Sequence, residues 1–202
     1  MEFPKAADEA IEAFCRLPGI GRKTAQRLVQ HLLKHDAFQA ERFASSIADL
    51  HAKIHPCKQC YHITEKDRVL CAICDNPLRD KQQICVVEDF MDVFAIEQTR
   101  SFTGVYHVLY GTLSPISGIG PEKLKIAELF HRMLGMDGPI ELIFATNPTL
   151  EGEATAMYIK EHMPAHIEVS FTRIAKGMPM GGDIDYADEI TLGNALSARV
   201  HF

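Results

Sequence analysis

Four cysteines carry the most specific chemistry in the chain. In CKQCYHITEKDRVLCAIC, Cys57 and Cys60 form one C-x2-C pair, and Cys71 and Cys74 form a second after ten intervening residues. Thiolates in two such pairs close a tetrahedral shell with no open position, which suits one structural zinc ion per chain rather than a catalytic one. The segment is short of apolar residues and cannot build a core alone. Metal binding would supply on the order of 10 kcal/mol of folding free energy there. His55 and His62 lie close in sequence, but four thiolates already complete the shell. Metal is favoured over disulfides because the N-terminus, MEFPKAADEAIEAF, lacks the basic start and small-residue cleavage site of a secretory signal. Cys15 and Cys85 sit in apolar contexts and read as packing residues.

Acidic residues mark a second place. ICVVEDFMDV reads as a strand ending in Glu88 and Asp89, and ATNPTLEGEATAMYI follows the apolar run from Ile140 to Phe144 and carries Glu151 and Glu153 around Gly152. The tips of strands are where α/β proteins often place their chemistry, and magnesium-dependent phosphoryl transfer requires carboxylates there. The second tip instead carries the neutral Asn147 and Thr149. Magnesium is a hard ion that prefers anionic oxygen, so such a site should hold it poorly. The reading is a scaffold without catalytic residues, in which Glu88, Asp89, Glu151 and Glu153 are candidates for contact with a partner protein. The alternative is a magnesium-dependent nuclease, primase or topoisomerase-like enzyme working through Glu88 and Glu151.

A third stretch, LPGIGRKTAQRLVQHLL, joins helical segments through a turn containing Gly19 and Gly21. Glycine supplies positive φ or permits close approach of another backbone. Free N–H groups at the start of the following helix, together with its dipole, favour a phosphate. Lys23 and Arg27 lie one helical turn apart, and no acid occurs between Ala13 and His35, where Arg16, Arg22, Lys23, Arg27 and Lys34 supply five positive charges. The pattern resembles a helix-hairpin-helix element, which implies sequence-independent contact with the nucleic-acid backbone. Candidate DNA-binding residues are Arg16, Gly19, Gly21, Arg22, Lys23 and Arg27.

These groups need elements to position them. Helical periodicity up to about residue 53 fits three helices, with apolar positions at Ile11, Phe14 and Cys15, at Leu28, Val29, Leu32 and Leu33, and at Phe43, Ile47 and Leu50. Beyond residue 80, short apolar runs at 84–87, 105–109, 140–144 and 167–171 alternate with helical stretches, the signature of a mainly parallel sheet covered by helices. A second GIG, Gly118 to Gly120, reads as a turn with Pro121 opening a helical turn. The final part is glycine-rich, then acidic, and closes with a helix around Gly193 to Ala198. It offers Arg173 and Lys176 to phosphates or to acids of a neighbouring subunit, and contains no GxxxxGK[ST] phosphate loop. The fold class is α/β multidomain, with a helical region at 1–53, a cysteine module at 54–78, an α/β domain at 79–172 and a C-terminal segment at 173–202. The 202 residues carry 47% hydrophobic content and a net charge of −6, which argues against binding nucleic acid by overall charge but permits a local patch. No apolar stretch approaches the roughly 18 residues needed to cross a bilayer, and a soluble cytosolic protein is expected.

The acidic stretches are together the elements of a Toprim domain, and NPTLEGEATA resembles the DPDREGE stretch of type IA topoisomerases. In that resemblance Glu88 takes the place of the acid-base glutamate, Asn147 and Thr149 stand where two metal-binding aspartates belong, and Glu151 keeps its acid. The order of LPGIGRKTAQRL, the cysteine spacing, RDKQQICVVED, ISGIGPEKLKI and TRIAKGMPMGGDIDYADEITL resembles the RecR family of bacterial recombination mediators along the whole chain. The C-terminal block is Walker-B-like in that family. The resemblance implies a non-enzymatic, cytoplasmic, nucleoid-associated DNA-repair factor that binds single- and double-stranded DNA. It also implies a homotetrameric ring that works with RecO and RecF to load RecA onto DNA covered by single-strand-binding protein.

Overall fold

The structure, a computed structural model, describes residues 3–199. The chain divides into two compact units, one ending at Ile54 and one beginning at His55. The first consists of α1 (Lys5–Cys15), α2 (Arg22–Lys34) and α3 (Ala37–Lys53). Pro4 precedes α1, and Asp36 caps α3 by accepting from the Phe38 N–H at 3.3 Å. Ile11, Ala25 and Val29 form the small core, with Ala7, Ala10, Phe14, Cys15 and Ile20 packed around it. The periodicity of α3 located a helix but not a buried face. None of its residues is buried, and Phe43, Ile47 and Leu50 remain 45%, 50% and 55% exposed.

In the second unit, β1 (Ile54–Pro56) and β2 (Ile63–Glu65) pair with each other, and α4 (Ala72–Asp75) follows. The main sheet has the order β4-β3-β5-β6, built from β3 (Asp80–Val87), β4 (Gly104–Val108), β5 (Ile140–Phe144) and β6 (Val169–Arg173), with every pairing parallel. Parallel strands need crossovers, supplied by α5 (Phe90–Gln98), α6 (Ile126–Leu134) and α7 (Leu150–Glu161). The period-2 alternation of β3 separates two cores. Ile84 and Val86 pack with Leu129, Met133 and Ile159, from α6 and α7, whereas Cys85 and Val87 pack with Val93 of α5. Burial pushes the Cys85 thiol up to about 12, in keeping with a packing role.

Two boundaries differ from the sequence reading. The last strand begins at Val169, because the Ile167 N–H closes a turn on Pro164 O at 3.1 Å. The final helix, α8 (Glu189–Ser197), starts earlier than expected because Asp188 caps it, accepting from the Thr191 N–H at 2.9 Å. The second GIG is a turn with Pro121 at the first position of a 3-10 turn, as its sequence indicates. No helix among the described residues is long and apolar enough to cross a membrane.

The order of strands reverses at β3. Chain continuity takes β3 to β4 on one side and then back past β3 to β5 on the other. The crevice beyond the carboxyl ends of β3 and β5 is therefore the topological switch point, the usual place for a ligand in such a sheet.

One buried side chain sets an acid limit on this unit. His107 on β4 is fully buried, and its Nε2 lies 2.7 Å from Lys125 O, so Nε2 carries the proton and donates. Burial, partly offset by that bond, pushes its pKa down to about 3. Its contribution is complete above the unfolded value near 6.5 and is lost as pH falls from there toward 3, because the unfolded chain takes up a proton that the fold refuses. The slope approaches about 1.4 kcal/mol per pH unit. We expect urea unfolding between pH 6.5 and 5 to weaken more steeply for the wild type than for His107→Gln, which retains a donor at the Nε2 position. Equal slopes would remove His107 from this role.

Candidate nucleic-acid interface and metal centre

In the helical unit the turn between α1 and α2 has Gly19 at φ +78, a conformation that disfavours any residue with a Cβ. Gly21 is different. It caps α2 in an extended conformation (φ −81, ψ 163), and a Cβ there would meet nothing within 4 Å. The turn itself therefore requires only Gly19, and the bare backbone at Gly21 leaves room for a group from outside the chain. No side chain caps α2, and its backbone ladder begins with the Ala25 N–H donating to Gly21 O at 2.9 Å. The N–H groups of Arg22, Lys23 and Thr24 are left for an external acceptor.

The cations around this end are not equivalent. Arg22 donates to Asp8 Oδ1 at 2.8 Å, an acid from α1 that an acid-free reading of residues 13–35 could not place. Lys23 and Arg27 line a shallow cavity of about 500 Å³ between α1 and α2, whose floor includes Ile11 and Val29. Arg16, Lys23 and Arg27 make no ion pair with a described residue and remain exposed or half-buried.

The four cysteines converge. All are buried, and the sulfurs of Cys57, Cys60, Cys71 and Cys74 lie within 4.8 Å of one another. A tetrahedral shell with metal–sulfur bonds of about 2.3 Å would space its sulfurs by about 3.8 Å, within that spread. The backbone is arranged toward the sulfurs: the Cys71 N–H donates to Cys57 Sγ at 3.3 Å, and the Cys74 N–H to Cys71 Sγ at 3.5 Å. The first pair is closed by Tyr61 in the left-handed region (φ 63), whose N–H donates to Cys57 O at 3.1 Å. Leu70 and Ile73 pack against the cluster and dry it. None of the cysteines forms a disulfide. Buried thiolates without a cation repel one another, so this donor set fits a soft-tolerant divalent ion. The histidines stand apart from the shell, His55 bonded through Nε2 to Arg68 O at 2.9 Å and His62 set edge-on against Phe94.

At the switch point, Glu88 leaves β3 and meets Asn147 beyond β5. Its Oε1 accepts from the Asn147 N–H at 2.7 Å, and its Oε2 accepts from Asn147 Nδ2 at 2.8 Å. Both carboxylate oxygens are thus taken by a neutral neighbour. Gly152 makes the approach possible, since a Cβ there would lie 2.2 Å from Asn147 O and 3.0 Å from Glu88 Oε1. Thr149 caps α7, accepting from the Gly152 N–H at 3.1 Å. Asp89 caps α5, accepting from the Met91 N–H at 2.8 Å while Asp92 Oδ2 accepts from the Asp89 N–H. Glu153 is bound to Lys176 at 2.6 Å and to Arg173, and these two cations hold its carboxyl below the usual carboxylate range. Glu151 is exposed, and its carboxylate has no partner among the described residues. The structure thus brings Glu88 and Gly152 together, ties Glu153 to the end of β6 and the segment after it, and uses Asp89 to start a helix. Among the described residues, the only group of three or more metal-capable side chains is the cysteine cluster.

Sequence reasoning missed four partners here: Asp8 for Arg22, Asn147 for Glu88, and both Arg173 and Lys176 for Glu153. No local signal could supply them, because each joins residues at least 14 positions apart. The Glu88–Asn147 pair has a measurable consequence. Asn147→Asp replaces a donor with a second carboxylate, and should cost about 1 kcal/mol of stability in denaturant titration without divalent ions. Millimolar magnesium should return part of it. Unchanged stability would mean that the pair contributes nothing.

Comparison with known proteins agrees with this architecture. Residues 7–51 match the family described as RecR, helix-hairpin-helix, residues 82–175 match the Toprim domain, and residues 177–200 match RecR, C-terminal. Two curated relatives from Clostridium perfringens, strains ATCC 13124 and 13, are each named Recombination protein RecR. Each is 48% identical over 200 residues, covering 98% of both chains. They are named for recombination and not for a catalysed reaction. On this full-length similarity, and with the helical unit, cysteine cluster and parallel sheet in the order described, the chain belongs to the RecR family of recombination proteins.

Proposed function

We propose that this chain is a non-enzymatic recombination mediator that grips the DNA backbone through the start of α2 and presents its Toprim scaffold to partner proteins. The observation that carries the reading is the bare, uncapped helix start at Gly21, with Lys23 and Arg27 beside it and unpaired among the described residues. Backbone N–H groups and the helix dipole take one phosphate, and Lys23 and Arg27 take its neighbours, without touching base edges. Binding is therefore indifferent to sequence and works on single and double strands. Arg16 and Arg22 add to the local potential, Arg22 less directly because Asp8 shares it.

A net charge of −6 makes a single patch weak, with an affinity around 10⁻⁴ to 10⁻⁶ M. A homotetrameric ring would multiply the contacts and enclose the strand. In this reading residues 1–53 bind DNA, 54–78 carry one structural zinc ion through Cys57, Cys60, Cys71 and Cys74, 79–172 form the Toprim scaffold and 173–202 serve oligomerisation. Zinc is chosen over other ions because four thiolates in a closed shell suit it best. RecO and RecF are the expected partners, with RecA and single-strand-binding protein engaged indirectly, in the cytoplasm. Of the four Toprim acids, Glu151 is the one most available to a partner, since the other three are engaged within the chain. Glu88 held by Asn147 supports the absence of magnesium chemistry.

Replacing Lys23 and Arg27 together by alanine should weaken binding to single- and double-stranded DNA of any sequence by one to two orders of magnitude. The slope of log affinity against log salt should fall by about 2 in fluorescence anisotropy. Unchanged binding and slope would overturn the interface. Metal analysis of the purified protein should return one zinc per chain, and chelation should unfold the cysteine module. A stoichiometry far below one would overturn the zinc assignment.

A further inference from the structure

β4 is an edge strand of the main sheet, so one side of its backbone has no strand to pair with. Leu109 N–H donates to Val87 O, which turns alternate residues of the β4 segment toward β3 and leaves Tyr106 and Val108 facing the open edge. Both are buried, and unpaired polar groups there would cost stability. The edge is covered by the cysteine module and one arginine. The Val108 N–H donates to Cys60 O at 2.8 Å, and Tyr106 O accepts from Arg132 Nη1 at 2.7 Å. The carbonyl of a cluster cysteine and the guanidinium of Arg132 thus dock two residues apart on the same backbone edge. Arg132 also shares a cavity of about 540 Å³ with Lys58, Gln59 and Leu70, which flank the cysteines in sequence.

What distinguishes Arg132 is the rest of its guanidinium. Nε and Nη2 are buried and have no hydrogen-bond partner among the described residues, which is costly for a permanent cation. Burial disfavours the charged form of the guanidinium unless negative charge lies nearby. A second cation approaches the same module, with Lys81 Nζ donating to Cys74 O at 2.7 Å and Asn76 O at 2.9 Å. A divalent ion with four thiolates carries a net charge of about −2, which itself needs compensation in a dry site.

We propose that Arg132, assisted by Lys81, is the built-in counter-cation of the four-cysteine centre, so that metal retention and coverage of the β4 edge depend on the same buried guanidinium. This rests on the metal reading of the cysteine cluster. Arg132 is a positioning residue and not a ligand: it offsets the charge of the loaded centre and keeps the module seated on the sheet. Removing outer partners of metal ligands typically costs 10- to 100-fold in affinity, which sets the scale here.

The test uses the full-length zinc-loaded protein and a chromogenic chelator. Arg132→Met should release zinc about 10-fold faster than wild type, Arg132→Lys should fall close to wild type, and Lys81→Met should lie between. In cobalt-substituted protein, the sulfur-to-cobalt charge-transfer band should shift in Arg132→Met, because thiolate donor energy responds to nearby positive charge. Met133→Ala is the packing control, since Met133 is fully buried on the same helix and bears no charge. It should leave the band in place. Wild-type release and spectrum in Arg132→Met, or the same band shift in Met133→Ala, would overturn the proposal. If Arg132→Met does not fold, Lys81→Met carries the comparison, and wild-type release and spectrum there would count equally against it. Wild-type protein that binds no metal would instead overturn the zinc assignment beneath it.

Discussion

Four buried sulfurs within 4.8 Å of one another, in a pocket dried by Leu70 and Ile73, impose a condition on everything around them. Thiolates so placed repel one another, and a divalent ion bound among them would remove that repulsion, a role for which the four sulfurs are close enough. The module also performs a task for the sheet. Through Cys60 O it satisfies the Val108 N–H on the open side of β4, an edge that would otherwise be available to pair with another chain. A disturbance of the cysteine cluster would therefore reach the edge of the sheet. Arg79 adds a second tie after the module, donating to Glu97 and to Phe102 O and Gly104 O, while the Tyr106 hydroxyl donates to the same Glu97 at 2.6 Å. Burial alone would raise the Glu97 carboxyl, but Arg79 and Tyr106 outweigh it and hold the group below its usual value.

The switch point shows how a catalytic scaffold can be kept while its chemistry is removed. Glu88 sits at the end of β3, where an acid-base group would stand, yet Asn147 occupies both of its oxygens. Thr149 and Asp89 begin helices, and Glu153 pairs with two cations. Glu88, Asp89, Thr149 and Glu153 are thus engaged by groups of the chain itself. What remains outward is Glu151 near the start of α7, an exposed acid on a rigid frame.

The helical unit follows a different economy. Its core is small, centred on Ile11, Ala25 and Val29, while the apolar positions of α3 stay exposed. The α2 start is left uncapped, although a capping side chain would be the ordinary way to satisfy it. An unsatisfied helix end beside free cations is poor for stability in isolation and useful for holding an anion.

The C-x2-C pairs, the short apolar runs of the sheet and the helix-period positions of α1 to α3 were readable in the chain because each depends on residues a few positions apart. So were the glycine-pinned turn, the neutral residues at 147 and 149, and the order of the parts. The pairings that give these groups their roles were not. Asp8 with Arg22, Glu88 with Asn147, Glu153 with Arg173 and Lys176, and Tyr106 O with Arg132 join residues 14 to 59 positions apart. They exist only once strand order and helix packing have been chosen. Local spacing determined which chemistry the chain carries; tertiary structure decided which charges are free, which are engaged and which are buried, because Coulomb and hydrogen-bond energies depend on distance in space rather than along the chain.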